Sequence, residues 1–169
     1  MTDGADTPPP TGVDTAERLL AELRAEIGRA DTKASVLIGA LGVCAGIVLS
    51  GRWSTIPPGG PGRILGLAGG LAWVLALGFL LFATAPRYRP SRWRSGRPLT
   101  YFLDIRRAAT SGLLADALRG TAEYPLAGLL IALKDTSDIV AAKHRCIRAG
   151  LACFVLGAAT LLGSTLAGA

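Results

Sequence analysis

Charge is missing from three long stretches of this sequence. Residues 34–51, 64–85 and 149–169 contain no Asp, Glu, Lys or Arg. An ion- or proton-coupled transporter usually carries an ionisable group inside a span, so that class is disfavoured. Three spans also leave no room for the repeated halves of a secondary transporter. An oligomeric pore stays open, because backbone, glycine or serine can line one. Histidine is nearly absent: His144 alone cannot build a metal cluster and is expected at a helix end near the membrane surface. The cysteines, Cys44, Cys146 and Cys153, form an odd set without paired-ligand spacing. That excludes a disulfide framework and a zinc site, and leaves small buried hydrophobes. Aromatic residues are only 6% of the chain. No phosphate-binding glycine loop, nucleophile elbow or histidine–glutamate zinc pattern occurs, so no enzyme chemistry and no cofactor are expected.

What is abundant is apolar sequence. Half of the 169 residues are hydrophobic, and they are pooled in the three blocks instead of scattered in short periodic runs. Each block is long enough to cross a hydrocarbon core. The fold class is therefore all-α: an integral membrane protein with three transmembrane helices. The first block begins too far into the chain to be a secretory signal core and is expected to stay in the membrane.

Ahead of it, residues 1–13 hold three prolines and two glycines and are expected to be a disordered tail. A helix then starts near Asp14 or Thr15, either of which can cap it. Leu19, Leu20, Leu23, Ile27 and Ala30 recur at helical spacing, with charges of both signs on the other faces. This is an amphipathic cytosolic helix, 14–33, leading into the first span, 34–51. Gly39, Gly42, Ala45 and Gly46 give that span a small-residue face suited to close packing. A Pro-Gly-rich outer loop, 52–63, contains Trp53, a residue suited to the interface. The second span, 64–85, places Gly66 and Gly70 four apart.

Residues 86–98 combine Arg87, Arg89, Arg92, Arg94 and Arg97 with Tyr88 and Trp93. They read as a basic connector at the bilayer surface, with phosphate binding as the sharper alternative. In the helical segment that follows, Leu113, Leu114, Ala117 and Leu118 share one face, and Leu126, Leu129, Leu130, Leu133 and Val140 another. Pro125 either breaks the pattern or opens a new helix. That helix is free to run directly into the third span, 149–168. Asp135 and Asp138 are ordinary surface charges.

The distribution of basic residues fixes an orientation. Four precede the first block, two lie between the first and second, and twelve between the second and third. By the positive-inside rule the N-terminus and the 86–148 segment are cytosolic and the C-terminus lies outside. The net charge of +6 then needs only anionic lipid, and no nucleic-acid-binding pattern is present.

Two short motifs remain. Arg29-Ala30-Asp31-Thr32-Lys33-Ala34-Ser35 places an acid and a base at the entry to the first span. They form either an interfacial charge pair or a fixed polar joint between the cytosolic helix and the span. Tyr101-Phe102-Leu103-Asp104-Ile105-Arg106 follows the basic connector, with Asp104 able to cap a helix. With the order of elements, and with the Ile131–Lys143 stretch containing Ser137, Ile139 and Lys143, these motifs resemble the transmembrane effector family of Pycsar antiphage systems. The resemblance covers about residues 15–168.

The resemblance implies a multi-pass protein of the bacterial inner membrane. Its cytosolic module would respond to cyclic UMP or cyclic CMP made by a partner pyrimidine nucleotide cyclase, in a homo-oligomer. The activated effector would impair the membrane and cause abortive infection. In that reading Tyr101, Asp104, Arg106, Arg107, Lys134 and Lys143 are the candidate ligand-binding residues, with arginine or lysine holding the phosphate charge and Tyr101 stacking on the base. Arg29, Asp31 and Lys33 are the candidate junction or gating residues. The competing expectations are a structural membrane adaptor that recruits a protein partner without a ligand, and an enzyme, which no motif supports.

Overall fold

A computed structural model describes residues 11–51, 60–86, 91 and 93–167. The described residues are helical, without strands: α1 (Gly12–Gly51), α2 (Pro61–Thr84), α3 (Phe102–Thr110), α4 (Leu114–Glu123) and α5 (Pro125–Ala167). Most of the expected disordered tail, most of the outer loop with Trp53, and Arg87, Tyr88, Arg89 and Arg92 of the connector lie outside the described residues. Helices α1, α2 and α5 are long and apolar enough to cross a membrane. At 40 and 43 residues, α1 and α5 are about twice the length a span requires. The chain divides into two compact units, one of residues 27–86 and 140–169, the other of residues up to 26 and 87–139.

The first unit is a three-helix bundle with a repeating seam. On α2 the buried positions are Gly62, Gly66, Gly69, Trp73, Ala76, Leu80 and Ala83, alternating four and three apart. Buried or half-buried positions on α5 (Lys143, Ile147, Gly150, Phe154, Gly157, Leu161, Ser164) and on α1 (Ala30, Ala34, Leu37, Leu41, Cys44, Val48) keep the same spacing. A mean repeat of 3.5 residues is the signature of left-handed, coiled-coil-like packing. Two layers show the helix directions. Ala34 packs with Leu80, Ala83, Cys146 and Ile147. Leu41 packs with Trp73, Ala76, Phe154 and Leu161. So α2 runs antiparallel to α1 and α5. All three cysteines are free and half-buried in these layers.

Glycine sets the spacing of α2 and α5. A Cβ on Gly69 would lie 3.0 Å from the Gly157 carbonyl oxygen, and one on Gly157 would lie 2.9 Å from the Gly69 carbonyl oxygen. The two backbones therefore touch, as small residues permit in membrane helices. The Gly66–Gly70 pair is not what makes this contact, because Gly70 points into open space. Trp73 fills the notch over Gly157 and donates its Nε1–H to the Phe154 carbonyl at 3.1 Å. Its ring stacks on Phe154 with centroids 5.9 Å apart.

In the second unit, α1 opens with a capping box. Thr11 Oγ1 accepts the Asp14 N–H at 3.2 Å, while Asp14 Oδ2 accepts the Thr11 N–H at 2.9 Å and the Thr11 hydroxyl at 2.7 Å. Thr11, rather than Asp14 or Thr15, is thus the capping residue. The buried line on this stretch runs through Ala16 and Leu20, while Leu19 is exposed. Helix α3 ends in a Schellman motif, with Leu113 N–H bonded to Ala108 O at 3.0 Å and Gly112 N–H to Ala109 O at 3.1 Å. The motif requires a left-handed residue, and Gly112 supplies it at φ 72°. The short return brings α4 onto α3, so that Ala108 and Ala117 bury Trp93, with Leu99 and Leu114 around it. Pro125 opens α5, as its fixed φ and missing N–H suit a first helical position.

Candidate functional site

Two constellations stand out, one in each unit. In the helical unit built from α3 and α4, Asp104 is the third residue of α3 and is only 7% exposed. Its Oδ1 accepts the Ser91 hydroxyl at 2.6 Å. Its Oδ2 accepts the Thr100 hydroxyl at 2.8 Å and the Thr100 N–H at 3.3 Å. A carboxylate in the first helical turn is favoured by the helix dipole, so a buried acid is tolerable here. Asp104 therefore stitches the connector to the start of α3. Ser91 continues the stitch by accepting the Trp93 N–H at 3.2 Å, and Trp93 donates its ring N–H to the Arg97 carbonyl at 2.9 Å.

On the neighbouring face of α3 lies a shallow, open depression lined by Ser91, Leu103, Arg106, Arg107 and Thr110. Positions 103, 106, 107 and 110 recur at three- and four-residue spacing and so share one side of the helix. Arg107 Nη1 donates to the Ser91 carbonyl at 2.9 Å, which fixes one guanidinium at the rim. The remaining donors of two adjacent guanidinium groups suit an anion with several oxygens, which they can hold by charge-assisted hydrogen bonds.

Of the residues singled out in the sequence, this site brings together Arg106 and Arg107, with Asp104 one bond behind them through Ser91. Tyr101 does not line it: it is the N-cap residue of α3, exposed, with its ring against Phe102 at 4.4 Å between centroids. Lys134 is exposed on α5 and does not line it either. Ser91 and Thr110 carried no signal in the sequence. Thr110 sits four residues after Arg106, which is the one pattern that could have pointed to it.

The three-helix unit holds the second constellation. Lys143, on α5, is 4% exposed. Its ammonium forms an ion pair with Asp31 Oδ1 on α1 and donates to the Ala83 carbonyl on α2 at 2.8 Å. Ala83 lies in the last turn of α2, where carbonyls lack intrahelical partners, and α2 has no basic residue there of its own. The acid of the junction motif is thus paired with a lysine 112 positions away. Lys33, two residues along, faces another side of α1, because residues two apart on a helix do not face each other. Arg29 and Lys33 are both exposed.

A model of the Pycsar effector protein domain matches residues 15–168, nearly the whole chain. The chain belongs to the Pycsar effector family. Comparison with curated proteins and with solved structures yields no match. The family and the three apolar helices make this a multi-pass membrane protein of antiviral defence. Family membership implies an effector tied to cyclic pyrimidine signalling. Both the Arg106–Arg107 depression and the Lys143 junction fall inside the matched region.

Proposed function

We propose that this Pycsar effector senses cyclic UMP or cyclic CMP through the Arg106–Arg107 depression and responds by impairing the bacterial inner membrane, so that an infected cell stops growing. The family match over residues 15–168 carries the reading. A cyclic mononucleotide bears a single phosphate charge. The two arginines offer the donor set for it, and Tyr101, at the N-cap of the same helix though outside the depression, offers an exposed ring for a base. The N-terminus and the α3–α4 segment are cytosolic on the positive-inside count, and the C-terminus is outside. A homo-oligomer is part of this reading, because several subunits can line a pore together. The signal would come from a pyrimidine nucleotide cyclase.

Binding changes the membrane only if the nucleotide prefers one arrangement of the protein over another. The test is dye leakage from liposomes carrying the full chain, with cyclic UMP, with cyclic CMP and with neither. Leakage with one nucleotide, abolished by Arg106→Ala with Arg107→Ala while insertion is unchanged, is the expected result. Silence with both nucleotides, from correctly inserted protein, would overturn the sensing role and favour a ligand-free adaptor.

A further inference from the structure

Lys143 is a buried cation that Asp31 and the Ala83 carbonyl hold in place. Its side chain is 5% exposed, against 42% for Asp31. The junction is therefore asymmetric. Asp31 can exchange its partner for water where it stands, whereas the lysine can reach water only if the helices around it part. The layer beside it is closed by Ala34, Leu80 and Ala83, all essentially inaccessible, so no path to water opens through it while the helices stay packed. A lysine that loses its counter-ion in such a place keeps one carbonyl and an unbalanced charge. Removing one partner of a buried pair is far more disruptive than removing both.

We propose that Asp31 and Lys143 form a lock on the bundle. While paired, they hold α1, α2 and α5 in a sealed arrangement. When Asp31 lets go, the stranded ammonium drives the helices apart, and this opening is the event that impairs the bilayer. The proposal rests on the membrane-effector reading above. It assigns Asp31 the part of a restraint and Lys143 that of the driver, which a simple stabilising salt bridge would not distinguish.

The test uses the full chain in liposomes without any nucleotide, so it does not depend on the sensing role. Asp31→Asn, which strands the charge, is expected to leak at least about tenfold faster than the native protein, the size of shift a small change in a two-state equilibrium gives. Lys143→Met, which removes the charge, is expected to stay sealed. The double variant is expected to stay sealed as well, so that the lysine substitution masks the aspartate one. Equal leakage from both single variants would overturn the lock, as would a sealed Asp31→Asn. An Asp31→Asn chain that unfolds by circular dichroism instead of leaking would make the pair a stability element and overturn it too. If Asp31→Asn leaks while the native protein ignores both nucleotides, the lock stands and the sensing role fails. If the native protein responds and Asp31→Asn behaves like it, the reverse holds.

Discussion

Trp73 occupies the notch left by the missing side chain of Gly157, and its ring N–H is bonded to the Phe154 carbonyl at 3.1 Å. The relationship is a fit of the largest side chain to the smallest residue, fixed by one directional bond. A Cβ on Gly157 would come within 2.7 Å of the indole nitrogen. Gly157→Ala is therefore expected to cost about 1–3 kcal/mol by overpacking. Gly39→Ala is the control, since its Cβ would meet nothing within 4 Å. Thermal unfolding in detergent should show a lower midpoint for the first and none of that loss for the second.

The carboxylate of Asp104 accepts hydrogen bonds from Ser91 and from both donors of Thr100. Asp104→Ala would leave the half-buried donors of Ser91 and Thr100 without their acceptor, at up to about 1–3 kcal/mol. The loss should be local to the connector. Trypsin is expected to cut after the exposed Arg94, which Ser95 follows, faster in the variant than in the native chain. Asp104→Asn keeps an acceptor oxygen and should fall between the two.

Acid should fray the start of α1. The Thr11 hydroxyl and then its backbone N–H hold the Asp14 carboxyl below its ordinary value of 3.8. A carboxyl depressed in the folded state stabilises the fold above its unfolded value and loses that contribution as the pH falls through the folded one. Protection of the amides in the first turn of α1, measured against their intrinsic exchange at each pH, is expected to fall between about pH 5 and about pH 2. Thr11→Ala removes the hydroxyl that makes two of the bonds of the capping box, and should lower protection at neutral pH while flattening this acid dependence.

The two sites were unequally legible in the sequence. Three uncharged apolar blocks announce three spanning helices, because the bilayer demands about twenty apolar residues and little else. Asp104 as a helix-start residue was legible because its Thr100 bonds lie four positions away, but its bond to Ser91, thirteen positions away, was not. The Asp31 partnership was not. Lys143 stands 112 positions away, and only the antiparallel passage of α2 between α1 and α5 brings the two together. The more tempting partner, Lys33, is close in sequence but turned away. Leu19 looked like part of the buried stripe and Ala16 did not, because hydrophobicity was read where spacing decides. The seam keeps a strict four-and-three alternation, and an alanine in register is buried before a leucine out of it. Trp73 carried no local signal, since the glycine that receives it lies on another helix.

The glycine contact between α2 and α5 has a mechanical consequence. Where backbone rests on backbone, no rotamer can rearrange to absorb a displacement, and the contact either holds or is lost. Helix α1 meets the same pair through Leu37, Leu41, Cys44 and Val48, whose side chains can slide and repack. The bundle thus has a hard hinge-plate, α2 with α5, and a compliant arm, α1, fastened to the plate by the Asp31–Lys143 ion pair. A force reaching the bundle would bend the arm before it split the plate.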